Sequence, residues 1–411
     1  MNLLYIDPGT GSALFSILIG AAATLYFLGR ALIIKLKVAA SGGKVSSKSM
    51  TQNHFVIYNE SLQYSNVFKP VLDEFETRSL ELLYLTSSED DPLLNESYNH
   101  VKGEFIGEGN RAFSRLNMLN ADLVLMTTPG LDVYQLKRSK GVRHYSHVLH
   151  MTSDATMYRL FGLDYYDSVL LTGDYQASDI RFLEQQRGIP PKQLVTTGCT
   201  YLDTFAEKIK QLPVEENHPF TVLLSPTWGS SSILSRFGVT LLDPLVKTGL
   251  RIIVRPHPQS KKSEPVVLET LMSKYRNNEN LIWDYERENI YSLSKSDIMI
   301  SDYSGIVFDY SFLFDKPVIY VNSGIDIRPY DADDLGQDAV EKLWQFKTIK
   351  EIGIELKESD FNRIGEVIQN ASDSETLRQA RQRAMEAAWQ FRGEAGKRIV
   401  DFMISTREQT Q

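Results

Sequence analysis

Few folds accommodate the run from Ile298 to Tyr320, Ile-Met-Ile-Ser-Asp-Tyr-Ser-Gly-Ile-Val-Phe-Asp-Tyr-Ser-Phe-Leu-Phe-Asp-Lys-Pro-Val-Ile-Tyr. Asp297 to Ser301 opens it as a short apolar run, the pattern of a strand covered on both faces. A polar knot follows, Ser301-Asp302-Tyr303-Ser304-Gly305. Ile306, Val307, Tyr310, Phe312, Leu313 and Phe314 then recur at helical spacing, Lys316-Pro317 ends the helix, and Val318 to Val321 reads as the next strand. This is a βαβ unit, and it commits the region to a parallel sheet. Its knot lies at a strand's carboxyl end and a helix's amino end. Free backbone N–H groups and the positive end of the helix dipole meet there, beside small hydroxyl side chains and a glycine. The stretch predicts a diphosphate cradle that includes Ser301, Asp302, Ser304 and Gly305.

The same alternation runs along most of the chain. Strands are predicted at Phe55–Tyr58, Leu80–Leu85, Asp122–Thr127, Arg143–Leu149, Ser168–Thr172 and Leu194–Thr197, with helices between several of them. Gln211 to Pro219 is polar with two prolines and reads as an interdomain linker. The pattern restarts with strands at Thr221–Leu224, Arg251–Val254 and Leu281–Trp283, the central unit, and terminal helices to about residue 405. The expectation is an α/β protein with two doubly wound, Rossmann-like domains, residues 53–212 and 213–405, facing a cleft. No Gly-x-Gly-x-x-Gly or Walker loop occurs, so neither a dinucleotide nor an ATPase site is supported. The acidic run Ser87 to Asp91 reads as a solvated loop.

Ahead of these domains, Ala13 to Leu28 is apolar apart from Ser16, Gly20 and Thr24, about 18 residues with its flanks and near the minimum to cross a bilayer. Arg30, Lys35, Lys37, Lys44 and Lys48 all follow it, whereas Asp7 precedes it. The positive-inside rule then puts the body in the cytoplasm and the amino terminus outside. Residues 1–38 are read as a single-pass anchor (helix about 12–34) and residues 39–52 as a linker. Net charge is −8 over 411 residues, with the basic excess confined to the amino-terminal 50. An acidic body is a poor nucleic-acid binder. The single cysteine, Cys199, excludes an internal disulfide and any multi-cysteine metal site.

Two further loops follow parallel strands. Arg255-Pro256-His257-Pro258 combines a bidentate phosphate partner with a group that titrates near neutrality, both stiffened by proline. Ser225-Pro226-Thr227-Trp228-Gly229-Ser230-Ser231 offers hydroxyls, Thr227 among them, and an aromatic wall. In a parallel sheet these loops and the knot emerge at one carboxyl edge, where ligands bind. In the first domain His144, His147 and His150 cluster around one strand. His150 stands at its end, the place for a catalytic base facing the cleft, while His144 and His147 read as structural and no metal is expected.

Ser301-Asp302-Tyr303-Ser304-Gly305-Ile306-x-Phe308-Asp309-Tyr310 with Lys316-Pro317-Val318-Ile319-Tyr320, together with Arg255-Pro256-His257-Pro258, Pro226-Thr227-Trp228 and Gly198-x-x-Tyr201-x-Asp203, resembles the signature of the CDP-glycerol glycerophosphotransferases, the teichoic acid primases and polymerases of the cell envelope. The resemblance covers roughly residues 120–390. It implies a GT-B fold, a CDP-alditol donor in the second domain, and inverting transfer without a metal or cofactor. It further implies that His257 contacts the donor diphosphate or protonates the leaving CMP. Arg255, Ser304 and Gly305 would hold the diphosphate, Asp309 the ribose hydroxyls, and His150 would deprotonate the acceptor. The chain departs from the family pattern at Met151, where glycine is usual, and at Gly229, where arginine is usual. The expected partners are CDP-glycerol or a similar CDP-polyol, a lipid-linked or polymer acceptor, the membrane and a second copy of the chain. Two other readings stay open: a GT-B glycosyltransferase using a UDP- or GDP-sugar, and a non-catalytic nucleotide-binding subunit of an envelope assembly.

Overall fold

Strands that are apolar on both faces need cover on both sides. The computed structural model shows how that cover is supplied, and it describes residues 53–213, 218–286, 288–336 and 338–410. In the first domain the strands are β1 (Asn53–Asn59), β2 (Leu82–Thr86), β3 (Val101–Phe105), β4 (Asn120–Met126), β5 (Gly141–Val148), β6 (Ser168–Leu171) and β7 (Gln193–Thr196). They pair in parallel in the order β3-β2-β1-β4-β5-β6-β7. Alternate residues serve opposite faces. Phe55 and Ile57 of β1 pack with Leu123, Leu125 and the helix Ser65–Thr77, while Val56 and Tyr58 pack with Val124 and Met126 on the other side.

The second domain repeats this plan with β8 (Thr221–Leu224), β9 (Arg251–Val254), β10 (Leu281–Trp283), β11 (Ile298–Ser301), β12 (Val318–Tyr320) and β13 (Gly353–Glu355). The order is β10-β9-β8-β11-β12-β13, again all parallel. Each sheet reverses its strand order once, between β1 and β4 and between β8 and β11. Crevices at such reversals are where doubly wound sheets bind ligands. The edge strands β3 and β13 escape the sequence reading because they lack a continuous apolar run.

Both domains lie within one compact unit, residues 53–411. The final helix, Ala395–Thr410, follows the second domain in sequence but packs in the first: Ile399, Val400, Phe402 and Met403 join Phe55, Phe68 and Leu72. The motif Gly198-x-x-Tyr201-x-Asp203 holds this return. Gly198 sits at φ +94°, and a Cβ there would lie 2.6 Å from the Gln390 carbonyl oxygen. Asp203 accepts from Trp389 Nε1 and Gly393 N at 2.8 Å each and from Ala395 N at 3.1 Å.

A second set of contacts ties the two domains. Asp154 accepts from the backbone N–H groups of Trp344 (3.0 Å) and Gln345 (2.7 Å), placing a carboxylate at the start of the helix Trp344–Ile352. Arg187 pairs with Asp331 (2.7 Å) and Asp334 (2.6 Å). The predicted span, residues 12–34, and the linker, residues 39–52, lie outside the described residues. Among the described residues no helix is long and apolar enough to cross a membrane. Asp91 corrects the expectation of a solvated acidic loop. It is fully buried, and it accepts from Asn59 Nδ2 (2.9 Å), Ser65 Oγ (2.8 Å) and the Tyr84 hydroxyl (2.6 Å).

Candidate active site

At the second domain's reversal, the loops after β8 and β11 are bound to each other. Asp302 is fully buried, and its two carboxylate oxygens accept from Thr227 N (2.8 Å) and Ile233 N (3.2 Å). Burial pushes its carboxyl up to about 6. Ser301 Oγ donates to the Ser225 carbonyl at 2.5 Å. Both residues were expected to touch a ligand directly. The geometry instead has them shaping the crevice, because their polar atoms are engaged by the neighbouring loop.

Ser304 and Gly305 stand differently. Gly305 is exposed at the N-cap of the helix Ile306–Phe314, with φ −59°, and a Cβ there would meet open space. Its small size is required by neither packing nor backbone conformation. It leaves a clear approach to the helix N-terminus, where backbone N–H groups favour an anion. Ser304 is half-buried beside it. Thr227 is half-buried on the facing loop, and Trp228 is 43% exposed with its ring 6.3 Å from that of His257. Gly229 has φ +89°, a left-handed backbone that favours glycine and suits an arginine poorly.

Arg255 does not point freely into the crevice. Its guanidinium pairs with Asp284 and donates to the Glu286 carbonyl (2.7 Å). Asp309 is half-buried on the helix Ile306–Phe314. It meets Tyr201 of the first domain, and burial pushes its carboxyl up to about 7.

The two candidate catalytic histidines are prepared in opposite ways. Thr127 Oγ1 donates its one proton to the Val148 carbonyl (2.9 Å) and lies 2.6 Å from His150 Nδ1. With that proton already given to a carbonyl, the hydroxyl accepts from Nδ1–H. Nε2 of His150 therefore carries the lone pair. Burial lowers its pKa to about 4, which keeps the ring neutral at physiological pH. On the second domain, His257 Nδ1 accepts from Gln259 N–H at 3.1 Å, so its neutral ring carries the proton on Nε2. Burial lowers its pKa as well, opposed by Glu264. One imidazole thus presents a base and the other a donor. His144 bonds Ser168 Oγ (2.9 Å) and His147 lies 3.2 Å from the Tyr158 hydroxyl, both within the core.

Sequence reasoning passes over Thr127 and Glu60. Each immediately follows the last residue of a strand, β4 and β1, on either side of the first sheet's reversal. Polar residues near the carboxyl ends of the predicted strands Phe55–Tyr58 and Asp122–Thr127 were the available signal.

A model of the family "CDP-Glycerol:Poly(glycerophosphate) glycerophosphotransferase" matches residues 176–403, more than half of the chain. None of the curated proteins gives a significant sequence match. Among solved structures, a UDP-GlcNAc 2-epimerase from Methanocaldococcus jannaschii, in complex with UDP-GlcNAc and UDP, is similar at 11% identity and TM-score 0.55, covering 86% of this chain and 99% of that chain. The UDP-GlcNAc 2-epimerase from Neisseria meningitidis, bound to UDP-GlcNAc, is similar at 14% identity and TM-score 0.55, covering 86% and 100%. The alpha,alpha-trehalose 6-phosphate synthase from Burkholderia multivorans follows at 11% and 0.53, covering 87% and 97%. At these identities the likeness is one of fold, and it agrees with the two-domain GT-B-like architecture.

Proposed function

Because the chain belongs to the CDP-glycerol:poly(glycerophosphate) glycerophosphotransferase family, we propose that it moves glycerol phosphate, or a related polyol phosphate, from a CDP-activated donor to a hydroxyl of a lipid-linked or polymer acceptor. The observation that carries this reading is the opposed preparation of the two histidines at the carboxyl edges of the two sheets. The acceptor oxygen attacks the β-phosphorus, forming a new P–O bond. Its proton passes to the lone pair on His150 Nε2. The bridging P–O bond breaks, and its electron pair leaves with CMP. His257 Nε2–H donates to a diphosphate oxygen, and the open N-terminus of the helix Ile306–Phe314 receives the same negative charge. An arriving diphosphate also favours the protonated form of nearby imidazoles, which works against the lowering by burial.

Purified full-length protein given CDP-glycerol and a lipid extract from its source cells should release CMP. His257→Ala should lower that release on the order of 100-fold or more, the range for a positioned acid–base group. Release that persists in the variant removes His257 from the reaction. A wild type that releases no CMP from CDP-glycerol but hydrolyses or transfers from a UDP- or GDP-sugar moves the chain to sugar transfer.

The apolar segment Ala13 to Leu28 supports attachment to the cytoplasmic membrane, with the catalytic body on the cytoplasmic side. Alkaline carbonate extraction of membranes should leave the protein in the pellet, and release to the supernatant would end the spanning proposal.

A further inference from the structure

Most buried carboxylates of this chain have partners that account for them. Asp91, Asp203, Asp302 and Asp154 accept hydrogen bonds from side chains or backbone amides, and Glu184 pairs with Lys192 and Arg181. Glu60 differs. It directly follows β1 at the first sheet's reversal, half-buried, and no cation pairs with it among the described residues. The Thr128 hydroxyl favours its ionised form, against the burial that raises its carboxyl. Its negative charge is felt by Tyr58, Tyr64, Tyr158 and Tyr166, each of whose hydroxyls it pushes further toward the neutral form. Two of these rings flank the base: Tyr64 lies 4.7 Å and Tyr158 6.4 Å from the His150 ring, centroid to centroid. In the same neighbourhood His147 Nδ1 is buried with no hydrogen-bond partner.

A carboxylate held against tyrosine rings with no cation and few donors is costly to keep ionised. What would relieve it is a ligand rich in O–H donors whose carbon skeleton lies against aromatic faces. Resting on the reaction proposed above, we propose that Glu60 is the acceptor-binding residue: it takes the hydroxyl next to the reacting one on a polyol end group, and so selects acceptors that enter hydroxyl-first. A leading phosphate would meet the Glu60 charge at close range, where like charges repel strongly. The reacting hydroxyl then faces His150 Nε2, while its neighbour donates to Glu60. Glu60 transfers no proton in this scheme.

The test uses the full-length protein, CDP-glycerol, and two preparations of a lipid-linked glycerol-phosphate oligomer, one ending in a glycerol unit and one ending in a phosphate monoester. Hydrogen bonds to charged groups account for about 10- to 100-fold in affinity. Glu60→Gln is therefore expected to raise the KM for the glycerol-ended acceptor by that factor, with kcat changed far less. Glu60→Asp should recover part of the loss, and thermal melting should report both variants as folded. The wild type should use the glycerol-ended preparation and reject the phosphate-ended one. An unchanged acceptor KM in Glu60→Gln, or a loss confined to kcat, while the wild type turns over, overturns the assignment and leaves the transfer reaction standing. A wild type that releases no CMP with either preparation overturns the transfer reading and this inference with it.

Discussion

His150→Ala is expected to lower kcat by about 100- to 10,000-fold, the contribution of a positioned general base. CDP-glycerol affinity should change little, because the ring belongs to the first sheet, while the donor is expected on the second. Thr127→Val tests the same idea more finely. It removes the oxygen that accepts from Nδ1–H (2.6 Å) and so frees the ring to place its proton on Nε2. A smaller loss, on the order of 10-fold, follows if the tautomer matters. The pH profile is a further readout. His150 is held down to about 4 by burial, so the base is neutral above that value. kcat/KM should stay level from about pH 8 toward pH 5 and drop only as the ring gains a proton near 4. A loss under tenfold in His150→Ala would remove the base role, and an acid limb near the ordinary histidine value would show that the free protein does not keep the ring desolvated.

The second large effect is expected at Asp302. Asp302→Ala leaves the amides of Thr227 and Ile233 without their acceptors in a buried crevice, at about 1–3 kcal/mol for each. The loop after β8 should separate from the knot after β11, and CDP-glycerol affinity should fall with it by tenfold or more. Asp302→Asn retains one acceptor oxygen and should lose less of both. The two substitutions differ with pH. Burial raises the Asp302 carboxyl from 3.8 to about 6, so between those values the folded chain holds a proton that the unfolded chain has released. Wild-type stability from this group therefore falls as pH rises through that window, whereas asparagine does not titrate. The melting-temperature deficit of Asp302→Asn against wild type should be larger at pH 4 than at pH 7. An equal deficit at both values would mean that the carboxyl does not retain its proton on folding. Unaltered CDP-glycerol binding in Asp302→Ala would separate the loop contact from the donor site.

Much of the architecture was legible in the residues. Thr221–Leu224, Arg251–Val254 and Leu281–Trp283 are strands with the bounds that their apolar runs predict. Buried parallel strands leave a strong signal, because both faces must be apolar. Leu281–Trp283 is itself an edge strand and is legible because its residues are apolar, whereas the edge strands Val101–Phe105 and Gly353–Glu355 leave little, because lysine, glutamate and glycine interrupt them. The candidate site was legible as a set of loops: Ser225 to Ser232, Arg255 to Pro258 and Ser301 to Gly305 all follow parallel strands, so one sheet edge had to gather them. The roles within those loops were not legible. Arg255 and Asp302 have the chemistry of ligand contacts, yet each is engaged by a neighbour distant in sequence, Asp284 for the one and Thr227 with Ile233 for the other.

What the sequence by itself determined was local and periodic: the parallel strands, the helix starts, the position of hydroxyl, glycine and histidine residues at strand ends, and through their motifs the family. The tertiary structure alone decided which of those polar groups are free. A hydrogen bond between residues 75 apart leaves no periodicity to read, and a neutral imidazole's tautomer depends on a partner supplied by another strand. The last helix shows the same limit. Its amphipathic pattern announces a buried face, but only the fold shows that Ile399, Val400 and Met403 close the core of the first domain, after the chain has passed through the second.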